Sequence, residues 1–118
     1  MRPREGWRVK VAYTGFLQGD TAAGGIIQSD AFDSGDIRFV VGERSVVGGL
    51  DRGVRELRLG ETAEIGFGPE LGYGSMGFGD EVPPDTGLVF RVTLLSAWPF
   101  PKFLRDLVAL FRTLLAGV

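Results

Sequence analysis

The side chains that could do chemistry in this chain are restricted from the outset. The 118 residues include no histidine and no cysteine. Catalysis of the Ser-His-Asp or Cys-His type is therefore excluded, and so are disulfides and zinc sites built on cysteine. Any acid or base chemistry is left to carboxylates, tyrosine, lysine or the backbone.

A glycine-rich stretch has the spacing of a dinucleotide-binding fingerprint. Gly72, Gly74 and Gly77 match the Gly-x-Gly-x-x-Gly pattern. That motif holds a pyrophosphate only when it opens a helix, whereas this stretch runs into Pro83-Pro84. We therefore expect a turn-rich loop here and no nucleotide cofactor.

Three aspartates, Asp30, Asp33 and Asp36, are evenly spaced. Their spacing is not that of a calcium-binding loop, and aspartate is common in turns because its side chain bonds to the nearby backbone. We expect no metal site.

A third candidate site combines apolar and aromatic side chains with tyrosine hydroxyls and one carboxylate. Aromatic residues on the inward faces of strands ordinarily form a hydrophobic core, and the pattern alone favours that interpretation. The set consists of Tyr13, Phe32, Asp33, Val46, Val47, Leu50, Tyr73 and Phe90.

Four stretches that alternate apolar with polar residues must position these side chains, and the alternation predicts half-buried strands. They begin near Trp7, Phe32, Glu61 and Leu88. We expect the second strand to be interrupted at residues 34–36 and to resume at residue 37. Residues 18–30 are rich in glycine and aspartate, which predicts a long hairpin connection.

One short amphipathic helix is predicted between the second and third strands. Leu50, Val54 and Leu57 form an apolar stripe, and Gly60 stands where a left-handed C-terminal cap would lie. Such a short helix is unstable alone and needs an apolar surface to lie on. The pattern therefore predicts an α+β domain with an antiparallel sheet.

Length and charge limit the function further. A chain of this size forms one domain. Thirteen basic and 15 acidic residues give a net charge of −2, which argues against nucleic acid as the main partner. The first residues lack the apolar run of a signal peptide, and the compartment stays unassigned.

Five blocks of sequence, similar in order and spacing, resemble the FKBP-type peptidyl-prolyl cis-trans isomerases, or rotamases. The resemblance runs from about residue 6 to residue 95. It implies a bent antiparallel sheet, a half-barrel, wrapped around one short helix, with the active site between the helix and the concave face. The blocks are residues 11–15 (VAYTG), 31–34 (AFDS), 46–54 (VVGGLDRGV), 69–74 (PELGYG) and 82–95 (VPPDTGLVFRVTLL).

The resemblance also implies roles for individual residues. Tyr73 would reach a substrate carbonyl with its hydroxyl, Asp33 would orient the substrate or a macrolide, and Phe90 would complete the catalytic set. Val47 would offer its backbone N–H to the ligand. The implied substrate-binding positions are Tyr13, Phe32, Ile37, Val46, Val47, Leu50, Phe78 and Val82.

The reaction suits a chain without histidine or cysteine. Rotation about an X-Pro bond crosses a barrier of ~18–20 kcal/mol, yet no bond is made or broken. No nucleophile, metal or cofactor is needed. A dry apolar pocket disfavours the planar, more polar amide relative to the twisted transition state. A rate gain of ~10⁵ needs about 7 kcal/mol, which desolvation and positioning together can supply.

Two departures from the family pattern carry expectations of their own. Leu50 stands where many members place a tryptophan at the pocket floor, so we expect reduced affinity for rapamycin-type macrolides. Because the sequence begins almost at the first matched strand, we also expect the N-terminal edge strand common in the family to be absent. We therefore expect residues 61–67 to form an unpaired sheet edge that is open to another chain.

Beyond residue 95 the resemblance stops. Residues 98–101 break the strand, and residues 103–118 place apolar side chains at helical spacing, with too few residues and too many charges to span a membrane. The helix either packs back on the domain or contacts a partner protein or a membrane surface. We thus expect an isomerase domain over residues 1–97 and a helical extension over residues 98–118.

Two functions remain open on the sequence. The first is isomerisation of X-Pro bonds in peptides and folding proteins. The alternative is a non-catalytic module or chaperone that uses the same pocket to hold a proline-containing loop, while the C-terminal tail docks a partner or a membrane surface.

Overall fold

The computed structural model describes residues 2–22, 25–26, 31–99, 107 and 110–114. Within this part of the chain, four strands form an antiparallel sheet in the order β4-β1-β6-β5. Two short strands, β2 and β3, pair separately. The elements are β1 (Arg8–Leu17), β2 (Thr21–Ala22), β3 (Gly25–Ile26), β4 (Asp33–Val40), α1 (Gly48–Val54), β5 (Thr62–Phe67) and β6 (Leu88–Trp98).

The sheet follows the predicted alternation. In β6 the side chains of Leu88, Phe90, Val92 and Leu94 are buried, whereas the intervening residues are more exposed. β1 lies between β4 and β6, and its register against β6 shifts between Lys10 and Val11. Such irregularities increase the local twist of a sheet. The α+β fold inferred from the sequence is confirmed.

Helix α1 packs on one face of this sheet with the predicted stripe inward. Leu50 and Val54 are buried in the core, together with Leu57 just beyond the helix. The helix ends earlier than predicted, at Val54, with Arg55 as its C-terminal cap. The prediction that Gly60 caps the helix is therefore wrong. Gly60 instead has φ +84° in a turn and donates its N–H to the Leu94 carbonyl at 2.8 Å, which ties the turn to β6.

Strand β4 is continuous, so the expected interruption at residues 34–36 is also wrong. Ser34, Gly35 and Asp36 all pair with β1, opposite Thr14, Tyr13 and Ala12. Their turn-forming tendency is overridden because the neighbouring strand offers partners for the backbone.

The connection after β1 and the edge strand β5 bear on two further predictions. In residues 18–30, a 3-10 turn at Gln18–Asp20 leads into the β2–β3 pair, while residues 23–24 and 27–30 lie outside the described residues. β5 pairs only with β6 in the described sheet and forms one edge, as expected.

The C-terminal extension is described only at a few positions, residues 107 and 110–114, and these are helical. Every one of them is exposed. No helix in the described ranges is long and apolar enough to cross a membrane. The rest of the predicted helix lies outside the described residues.

Candidate active site

A pocket of about 410 Å³ lies between α1 and the sheet. Its size falls in the range of small-ligand sites, about 300–1,000 Å³. Side chains from β1, β4 and β6 meet others from α1, from the loop before it and from the loop after β5. The lining residues are Tyr13, Asp33, Ile37, Arg44, Ser45, Val46, Val47, Leu50, Tyr73 and Phe90.

Phe90 lies at the centre of an aromatic cluster around this pocket. The residue as a whole is 3% exposed. Tyr13 and Phe32 approach it edge-on, with ring centroids at 6.0 and 5.9 Å, and Phe67 stacks on it at 5.7 Å. Edge-to-face and offset-stacked arrangements are the favourable ones for aromatic rings. The position of Phe90 is therefore fixed by packing on several sides.

Two glycines make this close packing possible. A Cβ on Gly15 would lie 2.6 Å from the Phe90 ring and 2.9 Å from the Phe32 ring. A Cβ on Gly49, in the first turn of α1, would overlap the ring of Phe67. Only glycine at these positions allows the strand and the helix to approach the rings so closely.

At the pocket rim, a tyrosine holds the candidate carboxylate. The Tyr13 hydroxyl donates to Asp33 Oδ2 at 2.9 Å. Burial raises the pKa of Tyr13 above its ordinary value of 10.0, and the hydrogen bond to the Asp33 carboxylate raises it further. The hydroxyl consequently stays protonated and keeps donating, which holds the carboxylate in one orientation.

A second tyrosine supplies a hydrogen-bond donor. Burial raises the pKa of Tyr73, and the negative charges of Asp33 and Glu81 contribute to the same effect. The Tyr73 ring stacks on Phe78 with centroids 5.0 Å apart. Its hydroxyl makes no hydrogen bond to the described residues. A protonated, unengaged donor at a pocket is suited to a ligand carbonyl.

A buried carboxylate fixes the loop that precedes α1. Asp51 is 7% exposed, and both of its carboxylate oxygens accept the Gly42 N–H, at 2.9 and 3.2 Å. Gly42 has φ +91°, which favours glycine. This contact anchors residues 42–47, the segment that carries Val46 and Val47 to the pocket. The Val47 N–H has no partner in the described part of the chain.

The structure brings eight of the eleven residues named from the sequence to the pocket lining and places three elsewhere. Phe32 packs behind Phe90. Phe78 is 53% exposed and contacts Tyr73. Val82 is buried in the core and pairs with Phe78 across an isolated bridge. These three support the lining residues.

Sequence reasoning missed two lining residues, Arg44 and Ser45. Both lie in the loop before α1, and Arg44 has φ +60°, which is unusual for a residue other than glycine. No local pattern distinguishes them from ordinary loop residues. The stacking of Phe67 on Phe90 was missed as well, although the alternation of β5 already pointed Phe67 inward.

The site combines apolar side chains with tyrosine hydroxyls, the Asp33 carboxylate and Arg44. Among the residues that the structure describes, no three His, Cys, Asp or Glu side chains converge to hold a metal ion. Two lining residues carry donors without a partner in the described part of the chain, namely the Tyr73 hydroxyl and the Val47 N–H. A few such polar groups beside apolar side chains are typical of small-ligand sites. Fold and site together define an α+β protein with a partly apolar pocket between its short helix and its antiparallel sheet.

Comparisons with known proteins assign the family. Residues 1–95 match the model of the FKBP-type peptidyl-prolyl cis-trans isomerases. The chain belongs to this family, and the class of enzyme predicted from the sequence is confirmed.

Curated relatives agree with this assignment. FK506-binding protein 1 of Gibberella zeae is 38% identical over 96 residues, which cover 78% of this chain and 83% of that protein. FK506-binding protein 1B of Aspergillus fumigatus is 37% identical over 80% of this chain and 81% of its own. Peptidyl-prolyl cis-trans isomerase Fkbp12 of Drosophila melanogaster is 34% identical over 80% of this chain and 83% of that protein.

Proposed function

We propose that the pocket between α1 and the sheet is where this chain isomerises X-Pro bonds in peptides and folding proteins. The observation that carries the proposal is the buried Phe90, which lines the pocket and is held by three aromatic neighbours. The size of the pocket suits a proline ring and its flanking groups.

The proposed mechanism uses the low polarity of this pocket. The planar amide carries more charge separation than the twisted one, so removal of water disfavours the ground state. Phe90, Val46 and Leu50 would enclose the proline ring. Because these side chains are held in place by packing, the pocket needs to rearrange little while the X-Pro bond rotates.

Donors at the rim would hold the substrate chain while the bond rotates. Tyr73 would donate its hydroxyl, and Val47 its backbone N–H, to substrate carbonyls. Asp33, fixed by Tyr13, would orient the residue that precedes proline. The raised pKa of Tyr73 supports its role as a donor, because the hydroxyl keeps its proton across the neutral and mildly alkaline range.

A protease-coupled assay tests catalysis directly. Purified chain is added to Ala-Leu-Pro-Phe peptides, and cleavage of the trans isomer reports the rate of isomerisation. We expect turnover, and we expect a rapamycin-type macrolide to abolish it by occupying the pocket. A folded chain that gives no turnover would contradict the catalytic proposal and favour the binding module.

We further propose that macrolides bind with reduced affinity because Leu50 forms part of the pocket floor. A larger aromatic side chain would offer more contact area there. Leu50→Trp should therefore tighten macrolide binding. Leu59→Trp adds the same side chain at an exposed position outside the lining and serves as the matched control. Equal affinity in both variants would contradict the role given to Leu50.

One observation favours the second function, a module that docks through its tail. The apolar side chains of Leu107, Leu110, Phe111 and Leu114 are all exposed, and their spacing puts them on one helix face. We propose that residues 98–118 act as an extension to a domain of residues 1–97 and contact a protein partner or a membrane surface. β6 ends at Trp98, the first residue of this extension.

Vesicle flotation and cross-linking, compared between the full chain and Phe111→Glu, test this extension. We expect the variant to lose the contact and to keep its isomerase activity. Unchanged behaviour in both experiments would contradict the docking role.

A further inference from the structure

A second cavity, of about 830 Å³, lies at the opposite end of α1 from the proline pocket, next to the C-terminal end of the helix. It is formed by the segment before β1 and by the turns after α1. The proposed isomerisation does not use it. Its lining residues are Arg2, Pro3, Arg4, Trp7, Arg55 and Arg58.

The charge of this lining is unusual for a chain with a net charge of −2. Four of its six residues are arginines, and none is acidic. Within the described part of the chain, none of these four arginines has a carboxylate within 4.0 Å, and the ion pairs Lys10–Asp36 and Arg91–Glu64 lie elsewhere. Like charges gathered without counter-charges repel each other, and an anion relieves that repulsion.

Two acidic side chains close to these arginines in the sequence, Glu61 and Glu5, make contacts elsewhere. The Glu61 carboxylate accepts the backbone N–H of Arg58 at 2.8 Å, without an ion pair to the guanidinium. The Glu5 side chain lies against the backbone of Gly42, as shown by the 2.8 Å that would separate its Cγ from a Cβ there. The arginine charges therefore face the cavity without compensation from either side chain.

Arginines are also common at the C-terminal end of a helix for a purely structural reason, because they donate hydrogen bonds to its last carbonyls. Here that need accounts for only one of the four, since Arg2 Nε donates to the Glu56 carbonyl at 3.2 Å. Backbone N–H groups of residues 55–57 already donate to the carbonyls of residues 52–54. Capping thus leaves three guanidinium groups unexplained.

Arg55 adds an independent sign of a missing ligand. Its Nε is buried and has no hydrogen-bond partner within the described structure. A buried donor of this kind is normally satisfied, because leaving it unpaired is unfavourable. The half-buried Trp7 lies in the same lining and supplies an apolar wall.

We propose that this arginine cavity binds a multivalent phosphate. Guanidinium groups match phosphate oxygens in pairs of parallel hydrogen bonds, and four positive charges suit an anion that carries several. A single carboxylate would neutralise only part of the charge. The phosphates belong either to a soluble polyphosphate ester or to a lipid headgroup, which offer the same chemistry to the arginines.

The fluorescence of Trp7 provides the test. The chain contains two tryptophans, so Trp98→Phe leaves Trp7 as the only reporter. Inorganic tripolyphosphate is titrated into this protein, and we expect a saturable change in emission that weakens as salt is added. A parallel arm uses phosphatidylcholine vesicles with and without a phosphoinositide.

Three variants, each made in the Trp98→Phe protein, distinguish binding in the arginine cavity from non-specific electrostatic attraction. Arg4→Gln combined with Arg58→Gln changes two exposed residues and should weaken binding by about tenfold or more, since each removes a charge-assisted hydrogen bond. Arg55→Lys keeps the charge but loses Nε, and should weaken binding as well. Arg52→Gln alters an exposed arginine of α1 outside the lining and should change affinity by less than about twofold.

The outcomes decide the proposal and the source of the phosphate. Arginine-dependent saturation by tripolyphosphate assigns a soluble ligand, whereas the same dependence seen only with phosphoinositide vesicles assigns a headgroup. The proposal is overturned if neither probe saturates, or if Arg52→Gln weakens binding as much as the double variant. Isomerase activity should persist in every variant, so a failure here is distinct from a failure of the proline pocket.

Discussion

Phe90→Leu should remove most of the isomerase activity while the chain stays folded. The ring makes three aromatic contacts, with Tyr13, Phe32 and Phe67. Such pairs contribute about 0.5–1.5 kcal/mol each beyond their burial, so their loss lowers the free energy of unfolding by about 1.5–4.5 kcal/mol. Domains are typically stable by about 5–15 kcal/mol, which leaves the variant mainly folded at low temperature.

Activity should fall for a separate reason. Leucine leaves space beside the proline ring, so water enters the pocket and the planar amide regains solvation. Loss of about 1.4 kcal/mol of transition-state stabilisation already lowers kcat/KM tenfold, and we expect at least that in the protease-coupled assay.

Phe16→Leu is the matched control. Phe16, in β1, is completely buried and does not line the pocket. Successive residues of a strand point to opposite faces, so Phe16 lies on the face of the sheet opposite to Tyr13 and the pocket. We expect its kcat/KM to change by less than about twofold after correction for the folded fraction from urea unfolding. Equal losses in Phe90→Leu and Phe16→Leu would refute the reasoning, because general destabilisation would then explain both.

Three further predictions follow from the rim and the loop. Tyr73→Phe should lower turnover by about two- to twelvefold, the equivalent of one hydrogen bond of about 0.5–1.5 kcal/mol, and an unchanged rate would remove Tyr73 from the mechanism. Asp51→Ala leaves the Gly42 N–H unpaired and should lower the free energy of unfolding, measured in urea, by about 1–3 kcal/mol. The KM should rise as well. A stability equal to that of the unaltered chain would contradict the anchoring role. Burial and the hydrogen bond to Asp33 raise the pKa of Tyr13, so its contribution to stability is complete below about pH 10 and is lost as the pH rises through the folded-state pKa. Urea unfolding from about pH 8 to 11 should therefore decline less steeply in Tyr13→Phe, and parallel curves would argue against the shift.

The elements with a strong apolar period were predictable from sequence. β6 alternates over its buried length, and the stripe of Leu50, Val54 and Leu57 gave the face of the helix. In both cases one face must be buried, so the pattern determines the orientation. The resemblance to a family then ordered the five blocks around the pocket.

Features that depend on tertiary partners were not predictable in this way. The turn-like residues 34–36 are held in β4 by pairing with β1, which no local signal reveals. Arg44 and Ser45 reach the pocket because Asp51 fixes the loop through Gly42. The supporting contacts of Phe78 likewise depend on how the loop after β5 folds back on itself.

The arginine cavity illustrates the same limit. Its residues come from two segments some fifty positions apart, as the contact of Arg2 with Glu56 shows. The net charge of −2 gave no reason to expect a local concentration of positive charge. Only the fold brings these arginines together.

Exchange spectroscopy by NMR on an X-Pro peptide tests the central claim most directly. With a small amount of isotope-labelled chain present, exchange between the cis and trans signals of the peptide and shift changes in the protein are read from one sample. The account predicts accelerated exchange, with shift changes concentrated at Val47, Tyr73 and Phe90. It would be contradicted by a folded chain that leaves the exchange rate unchanged, or by shift changes centred away from this pocket.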